Sequence, residues 1–432
     1  VNRNTLKAMV LPAVAALPAA LREPLRAMWR RLPGYDADTH SAAEPPPASD
    51  SDPAPETAAA TADAVAAPAS CAGEAAAPAV DIPTESGETS DTADTADTAA
   101  APPSYEDRIA QETRIFADQV QVHDLPPIFH YWSNAYLRPM LQAFDCEHPE
   151  DFLAHHLFLS ARHTGAAAPR FVSLGCGNCD AEIRIAQALV RRGLTQFTFE
   201  CMDINPAMLE RGAALAHEAG LEGRVLPVQG DFNRWTPEGR YDGIMANQSL
   251  HHVLELEALF DAVRAALQPQ ARFVVSDMIG RNGHQRWPEA AAIVREFWEQ
   301  LPPSYRYNLQ LQRQEDDFLD WDCSVEGFEG VRAQDVLPLL LERFGVEVFL
   351  GFGNIIDPFI DRGFGHHFDA GHVFDRHFID RVHARDEAEM QAGRITPTHM
   401  LAVFALQRDI ACAHRPGLAP QTSVRDASIG AA

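Results

Sequence analysis

From Pro169 to Gln407 the sequence predicts a doubly wound α/β fold around a mostly parallel sheet, on three observations. Short apolar runs alternate there with segments of helical period, the pattern of repeated β-α units. The first run ends in a turn with two glycines, Gly175 and Gly177. Each of the next two runs closes on a carboxylate, Asp203 and then Asp231.

Seven strands are expected, at Arg170 to Leu174, Phe197 to Met202, Arg224 to Val228, Tyr241 to Ala246, Arg272 to Asp277, Val346 to Phe352 and Met400 to Leu406. Helices fill the gaps at Ala181 to Arg192, Ala207 to Ala219, Leu256 to Leu267, Pro288 to Gln300 and Ala333 to Phe344. Asn205-Pro206 supplies a cap residue and a first-turn proline to the second of these. Ahead of this core, residues 105–168 read as a helical region, because aromatic and apolar residues return at helical spacing around a break at Asp124 to Pro127.

The remainder of the chain reads differently. Residues 36–104 hold fourteen acids and no Lys or Arg, with the repeat DTADTADTA at Asp91 to Ala99. Such a segment buries too little apolar surface to offset its ordering entropy, so 35–104 reads as a disordered acidic linker. Residues 1–34 form a short basic and apolar segment, and 408–432 is expected to be a disordered tail. In the first of these, Pro12 and Pro18 interrupt an apolar run shorter than the ~20 residues of a membrane span. No integral membrane segment is expected, while a weak surface contact through this end stays open.

A net charge of -26 disfavours nucleic acid as a partner, since it repels a phosphate backbone. Seven cysteines without a framework pattern read as reduced thiols of a cytoplasmic protein. Cys176 and Cys179 form a C-x-x-C, but no second pair follows to complete a zinc site. The oligomeric state is not legible in the sequence.

The chemistry gathers at the strand ends. Bare backbone at Gly175 and Gly177 can approach a ligand at a helix N-terminus. Asp203 can accept both hydroxyls of a ribose, Asp231 can accept from an adenine amino group, and Phe232 can cover the ring. A dinucleotide fingerprint would want glycine at position 180, where Asp180 stands. After the fourth strand comes the polar run Asn247-Gln248-Ser249-Leu250-His251-His252.

The order VSLGCGN, MDINPAML, VQGDF, YDGIMANQSLHHV and ARFVVSDMIG resembles the class I S-adenosylmethionine-dependent methyltransferases across about 110 residues. The resemblance implies a Rossmann-like sheet of seven strands, its last strand antiparallel beside the sixth, with S-adenosylmethionine as cofactor. It places Gly175, Cys176 and Gly177 along the methionine part, Asp203 and Ile204 at the ribose, Asp231 and Phe232 at the adenine, and Asn247 beside the sulfonium. Two positions depart from the family pattern: Ser173 stands where many members carry an acid, and Cys179 where many carry a third glycine. Asp180 or Glu182 is then a candidate for the cofactor's ammonium. The region before the core would form a lid, with Tyr131 and Trp132 shielding the sulfonium; packing in the core is the competing reading.

Methyl transfer needs an in-line approach in a dry pocket, and a base where the nucleophile is a hydroxyl. His251 and Asp277, at the ends of the fourth and fifth strands, are the catalytic candidates. Residues 355–397 form an insertion before the last strand, with His366, His367, His372, Asp375 and His377 in it. It reads as a substrate-facing cap rather than a metal site, and no metal is expected. Arg306, Arg362 and Arg376 would suit an anionic substrate group or internal pairing. The expected activity is methyl transfer to a small-molecule or glycan acceptor, most readily at oxygen. A binding protein of the same fold without turnover, and a nicotinamide oxidoreductase, are the alternatives.

Overall fold

The computed structural model describes residues 104–117, 125–325 and 327–425. The expected basic segment 1–34 and all but the last residue of the linker 35–104 fall outside them. Helix α1 (Tyr105–Ala117) comes first, followed by α2 (Pro127–Trp132), a π-helical turn (Ser133–Leu137), α3 (Arg138–Gln142) and α4 (Pro149–Thr164). The proline pair before α2 sets its start, with Pro127 in the first turn. Helix α4 ends on Gly165 in the left-handed region, at φ 69°.

The alternation of the core then follows, as β1 (Arg170–Leu174), α5 (Asp180–Arg191), β2 (Thr198–Asp203), α6 (Pro206–Glu218), β3 (Val225–Gln229), β4 (Tyr241–Asn247), α7 (Leu256–Ala266) and β5 (Leu267–Met278). Asn205 caps α6 as expected, its side chain accepting from the Ala207 amide at 3.1 Å. Between β5 and the next sheet strand run α8 (Pro288–Trp298), a small hairpin of β6 (Tyr307–Asn308) and β7 (Arg313–Gln314), and α9 (Ala333–Arg343). The chain continues with β8 (Gly345–Phe352), α10 (Asp357–Ile360), α11 (Val373–Gln391), β9 (His399–Ala405) and β10 (Ala413–His414).

The main sheet has the order β10-β8-β9-β5-β4-β1-β2-β3. Strand β9 lies antiparallel between β5 and β8, as the family resemblance implied. The other pairs are parallel. Strand β1 has β2 on one side and β4 on the other, so the chain reverses its direction of progress across the sheet there. The crevice outside such a reversal is where open α/β sheets bind ligands.

Strand residues alternate between two apolar layers, the period of a sheet covered on both faces. Met245, Val274, Leu401 and Val403 face the layer built by α4, α5, α8 and α11. Ile244, Phe273, Val275 and Phe404 face the opposite layer, built by α7 and α9.

Two expectations need correction. The sheet has eight strands rather than seven, because β10 adds beside β8 with Ala413 opposite Val348. The supposed disordered tail is therefore ordered through residue 425. Leu418 is buried, the Arg415 guanidinium donates to the Gly351 carbonyl at 3.0 Å, and Arg425 pairs with Glu289 at 2.8 Å. A two-residue strand carries no periodicity that a sequence window can register.

Candidate functional site

The turn after β1 is built around glycine for a measurable reason. Gly175 lies at φ 76°, and a Cβ placed on it would stand 2.5 Å from the Ser249 Cβ and 3.3 Å from the Phe232 ring. The loop after β4 thus presses directly on the turn after β1, and Ser249 Oγ donates to the Leu174 carbonyl at 2.6 Å. Gly177, at φ 54°, donates its amide to Asp203 Oδ2 at 2.9 Å, and the Asn205 amide donates to Oδ1 at the same distance. Burial pushes the Asp203 carboxyl above the usual range against the pull of those two amides. Ile204 follows, half-buried at the end of β2.

Asp231 begins the short turn after β3. Its Oδ1 accepts from the Asn233 amide at 2.9 Å, and its Oδ2 accepts from the Tyr105 hydroxyl at 2.6 Å. Gly175, Cys176, Gly177, Asp203, Ile204, Asp231, Phe232 and Asn247 therefore all sit along the C-terminal edge of four adjacent strands, as their positions in the sequence led one to expect.

Position 173, where an acid was missing, is served from the neighbouring helix. Ser173 Oγ donates to Glu182 Oε1 at 2.7 Å, and the other Glu182 oxygen is buried without a hydrogen-bond partner. Burial, with Cys179 adding to it, pushes this carboxyl up to about 8. Cys176 and Cys179 are free thiols 3.6 Å apart, packed behind the turn.

Tyr131 and Trp132 follow the competing core reading rather than the shielding one. Trp132 is buried and its indole donates to His383 Nδ1 at 3.3 Å, while the Tyr131 hydroxyl donates to Asp380 at 2.8 Å. Both side chains are thus committed to α11, inside the insertion after β8. It is α1 that crosses the strand ends. Besides Tyr105 on Asp231, the Thr113 carbonyl accepts from Asn205 Nδ2 at 3.3 Å, Glu112 pairs with His252 at 3.1 Å, and Tyr105 packs on Phe328.

At the far end of the crevice, Asp277 and His251 meet. Asp277 is fully buried and accepts from the amides of Ser249, Leu250 and Met278 at 2.9, 2.7 and 2.8 Å. It also holds His251 Nδ1 at 2.7 Å, which leaves Nε2 of that buried ring facing Glu329 at 3.4 Å. Burial alone would lower the His251 pKa, but Asp277 and Glu329 on either side bring it up to about 10. Glu329 is itself held well below its usual range, against its burial, by His252, His251 and His284.

Glu112, His284 and Glu329 were missed by the sequence reading, since no motif surrounds them. His284 comes from the loop after β5 and Glu329 from the segment before α9, and only the fold brings them to β4. The one sequence signal was a pair of glycines beside them: Gly283 donates its amide to the Gly330 carbonyl at 2.9 Å.

Arg306 is spent internally, its guanidinium donating to the carbonyls of Asp316, Glu299 and Leu301, so no anionic substrate group is assigned to it. Arg376 lies over the Tyr131 ring, 5.7 Å from its centre. In the insertion, His367 Nε2 meets the Tyr307 carbonyl at 2.7 Å, and the histidines there form no group close enough to share one ion among the described residues.

Sheet order, the glycine turn at the reversal and the paired strand-end acids define a class I methyltransferase fold. Residues 171–270 match the family model described as a methyltransferase domain. No curated protein matches the sequence. Among solved structures it is similar to the O-methyltransferase of a polyketide synthase multienzyme of Brevibacillus brevis, in complex with S-adenosyl-L-homocysteine. That identity is 13% over 66% of this chain and 80% of the other, with a TM-score of 0.36. A geranyl diphosphate methyltransferase with sinefungin is also 13% identical, over 59% and 78% of the chains, TM-score 0.34. A [4+2]-cyclase has 13% identity over 58% and 80%, TM-score 0.33.

Proposed function

We propose that this protein transfers a methyl group from S-adenosylmethionine to an oxygen of a small-molecule or glycan acceptor. One observation carries the reading: bare backbone at Gly175 and Gly177 lies beside Asp203 and Asp231 on adjacent strand ends, at the reversal of the sheet. In this reading the turn receives the methionine part with Cys176, and Asp203 with Ile204 receives the ribose. Asp231 and Phe232 receive the adenine, and Asn247 lies beside the sulfonium. Glu182, with an unpartnered oxygen, is the acid nearest Ser173 and takes the ammonium.

The acceptor enters from the side of β4 and β5. Asp277 has no exposed surface and acts as a positioning residue, fixing the ring of His251. The proton of a hydroxyl acceptor leaves at this polar end, where His251, His252, Glu112 and Glu329 converge. Helix α1 and the insertion 355–397 cover the crevice, the latter as the acceptor-facing cap. No helix among the described residues is long and apolar enough to cross a membrane. Cys146, Cys176, Cys179, Cys201 and Cys412 are free thiols, as suits a cytoplasmic setting, but Cys323 is disulfide-bonded, against the expectation that the cysteines are all reduced.

Calorimetric titration with S-adenosylhomocysteine tests the reading. Saturable binding is expected in the wild type, weakened about 10- to 100-fold in Asp203→Ala, the range for losing hydrogen bonds to a charged group. A protein that ignores this nucleoside and instead quenches or shifts NADH fluorescence in a saturable way would overturn it. Transfer of a radiolabelled methyl group into a cell extract, followed by isolation of the labelled molecule, identifies the acceptor.

A further inference from the structure

At the polar end of the crevice, His251, His284 and Glu329 each offer one ligand atom, and the three atoms lie within 4.8 Å of one another. Glu329 Oε1 stands 2.6 Å from His284 Nε2 and 3.4 Å from His251 Nε2. Bond lengths of about 2.0–2.2 Å to nitrogen and oxygen put neighbouring ligands roughly 3 to 4 Å apart around a tetrahedral or octahedral ion. The 3.4 Å pair already has that spacing, the 2.6 Å pair must open by some tenths of an ångström, and the ligand nitrogens of the two imidazoles lie within 4.8 Å of each other.

A second observation points to a ligand. His251 is 1% exposed, and its Nε2 is buried without a hydrogen-bond partner while Asp277 holds the opposite nitrogen. A carboxylate holding the imidazole nitrogen opposite the ligating one is the outer-shell arrangement of a metal-bound histidine. Surrounding structure also fixes His284. Its own φ is 53°, Gly330 approaches its ring so closely that a Cβ there would lie 3.1 Å from Cε1, and Gly283 lies at φ 65°.

We propose that His251, His284 and Glu329 bind one divalent transition-metal ion, with Asp277 as the outer-shell partner of His251. Two imidazoles and a carboxylate suit Mn(II), Fe(II), Co(II) or Zn(II) better than Mg(II) or Ca(II), which prefer oxygen. Three ligands from the protein leave open positions for water or for an oxygen of the acceptor. The ion's use in methyl transfer rests on the proposed function; its binding does not.

Titration of the chelator-stripped full-length protein with CoCl2, followed by visible absorption, reads the site directly. The expected result is a set of ligand-field bands that saturates at one ion per chain. His284→Gln and Glu329→Gln should each weaken it more than about 100-fold, and Asp277→Asn about 10- to 100-fold, the cost of an outer-shell loss. Absence of saturable bands in the wild type overturns the proposal, as does wild-type affinity in His284→Gln and Glu329→Gln. S-adenosylhomocysteine calorimetry on the same samples reports whether the variants are folded and reads the other proposal separately. Cobalt binding without nucleoside binding would sink the methyltransferase reading alone; the converse would sink the ion alone.

Discussion

At the scale of single residues, the turn after β1 tolerates no side chain at position 175. Gly175→Ala places a methyl group 2.5 Å from the Ser249 Cβ and forces an L-residue to φ 76°. Overpacking and backbone strain together are expected to cost about 1–3 kcal/mol. A thermal melt checks this, and adding Ser249→Gly should recover the steric part but not the backbone part. Asp386 offers a pH test away from the crevice. Burial, with Asp357 and then Glu387 adding to it, raises this carboxyl to about 8, although it accepts from the amides of Ile355 and Ile356. A raised carboxyl pKa means that the folded state binds more protons than the unfolded state between about pH 4 and 8. Its contribution to stability is therefore present at low pH and declines as pH rises through that window. In urea titrations Asp386→Asn should flatten that slope; an unchanged slope would show that Asp386 ionises normally.

At the scale of elements, the sequence was most legible where a segment is long and periodic. Strands β1 to β5 and helices α5, α6, α7 and α9 fall within a few residues of expectation, because their apolar residues face one layer or both. The shielding expected of Tyr131 and Trp132 gave way to core packing for a physical reason. Tyr131 and Trp132 have the aromatic character of a lid, but that character serves equally to pack against α11. Helix α1 meets the strand ends through Tyr105 on Asp231, Glu112 on His252 and the Thr113 carbonyl on Asn205. Tyr105→Phe should remove about 1 kcal/mol of this docking. Amide exchange in α1 would then quicken about 5-fold, while exchange in β1 and β4 stays unchanged. The acids Asp203 and Asp231 were found because each follows a strand directly. Glu329 and His284 were not, because residues 45 positions apart meet only once the chain between them has folded.

At the scale of the whole molecule, the sheet needs its last segments. Strand β10, Leu418 and the Arg425–Glu289 pair bind a stretch that looked like a tail. A chain ended after Gln407 loses them together and uncovers the outer edge of β8. Its melting temperature should fall, and light scattering should reveal association through that edge; an unchanged melt would mean that β10 is decoration. Strand β9 has a different kind of consequence. It is the central partner of both β5 and β8, yet the entire stretch from 279 to 398 is made before it emerges. Until then β5 carries a row of unsatisfied amides and carbonyls on its open flank. Non-local pairing of this sort is slow, and a sheet edge that waits for its partner is a template for wrong pairing, so this half of the molecule is expected to be the slower to fold.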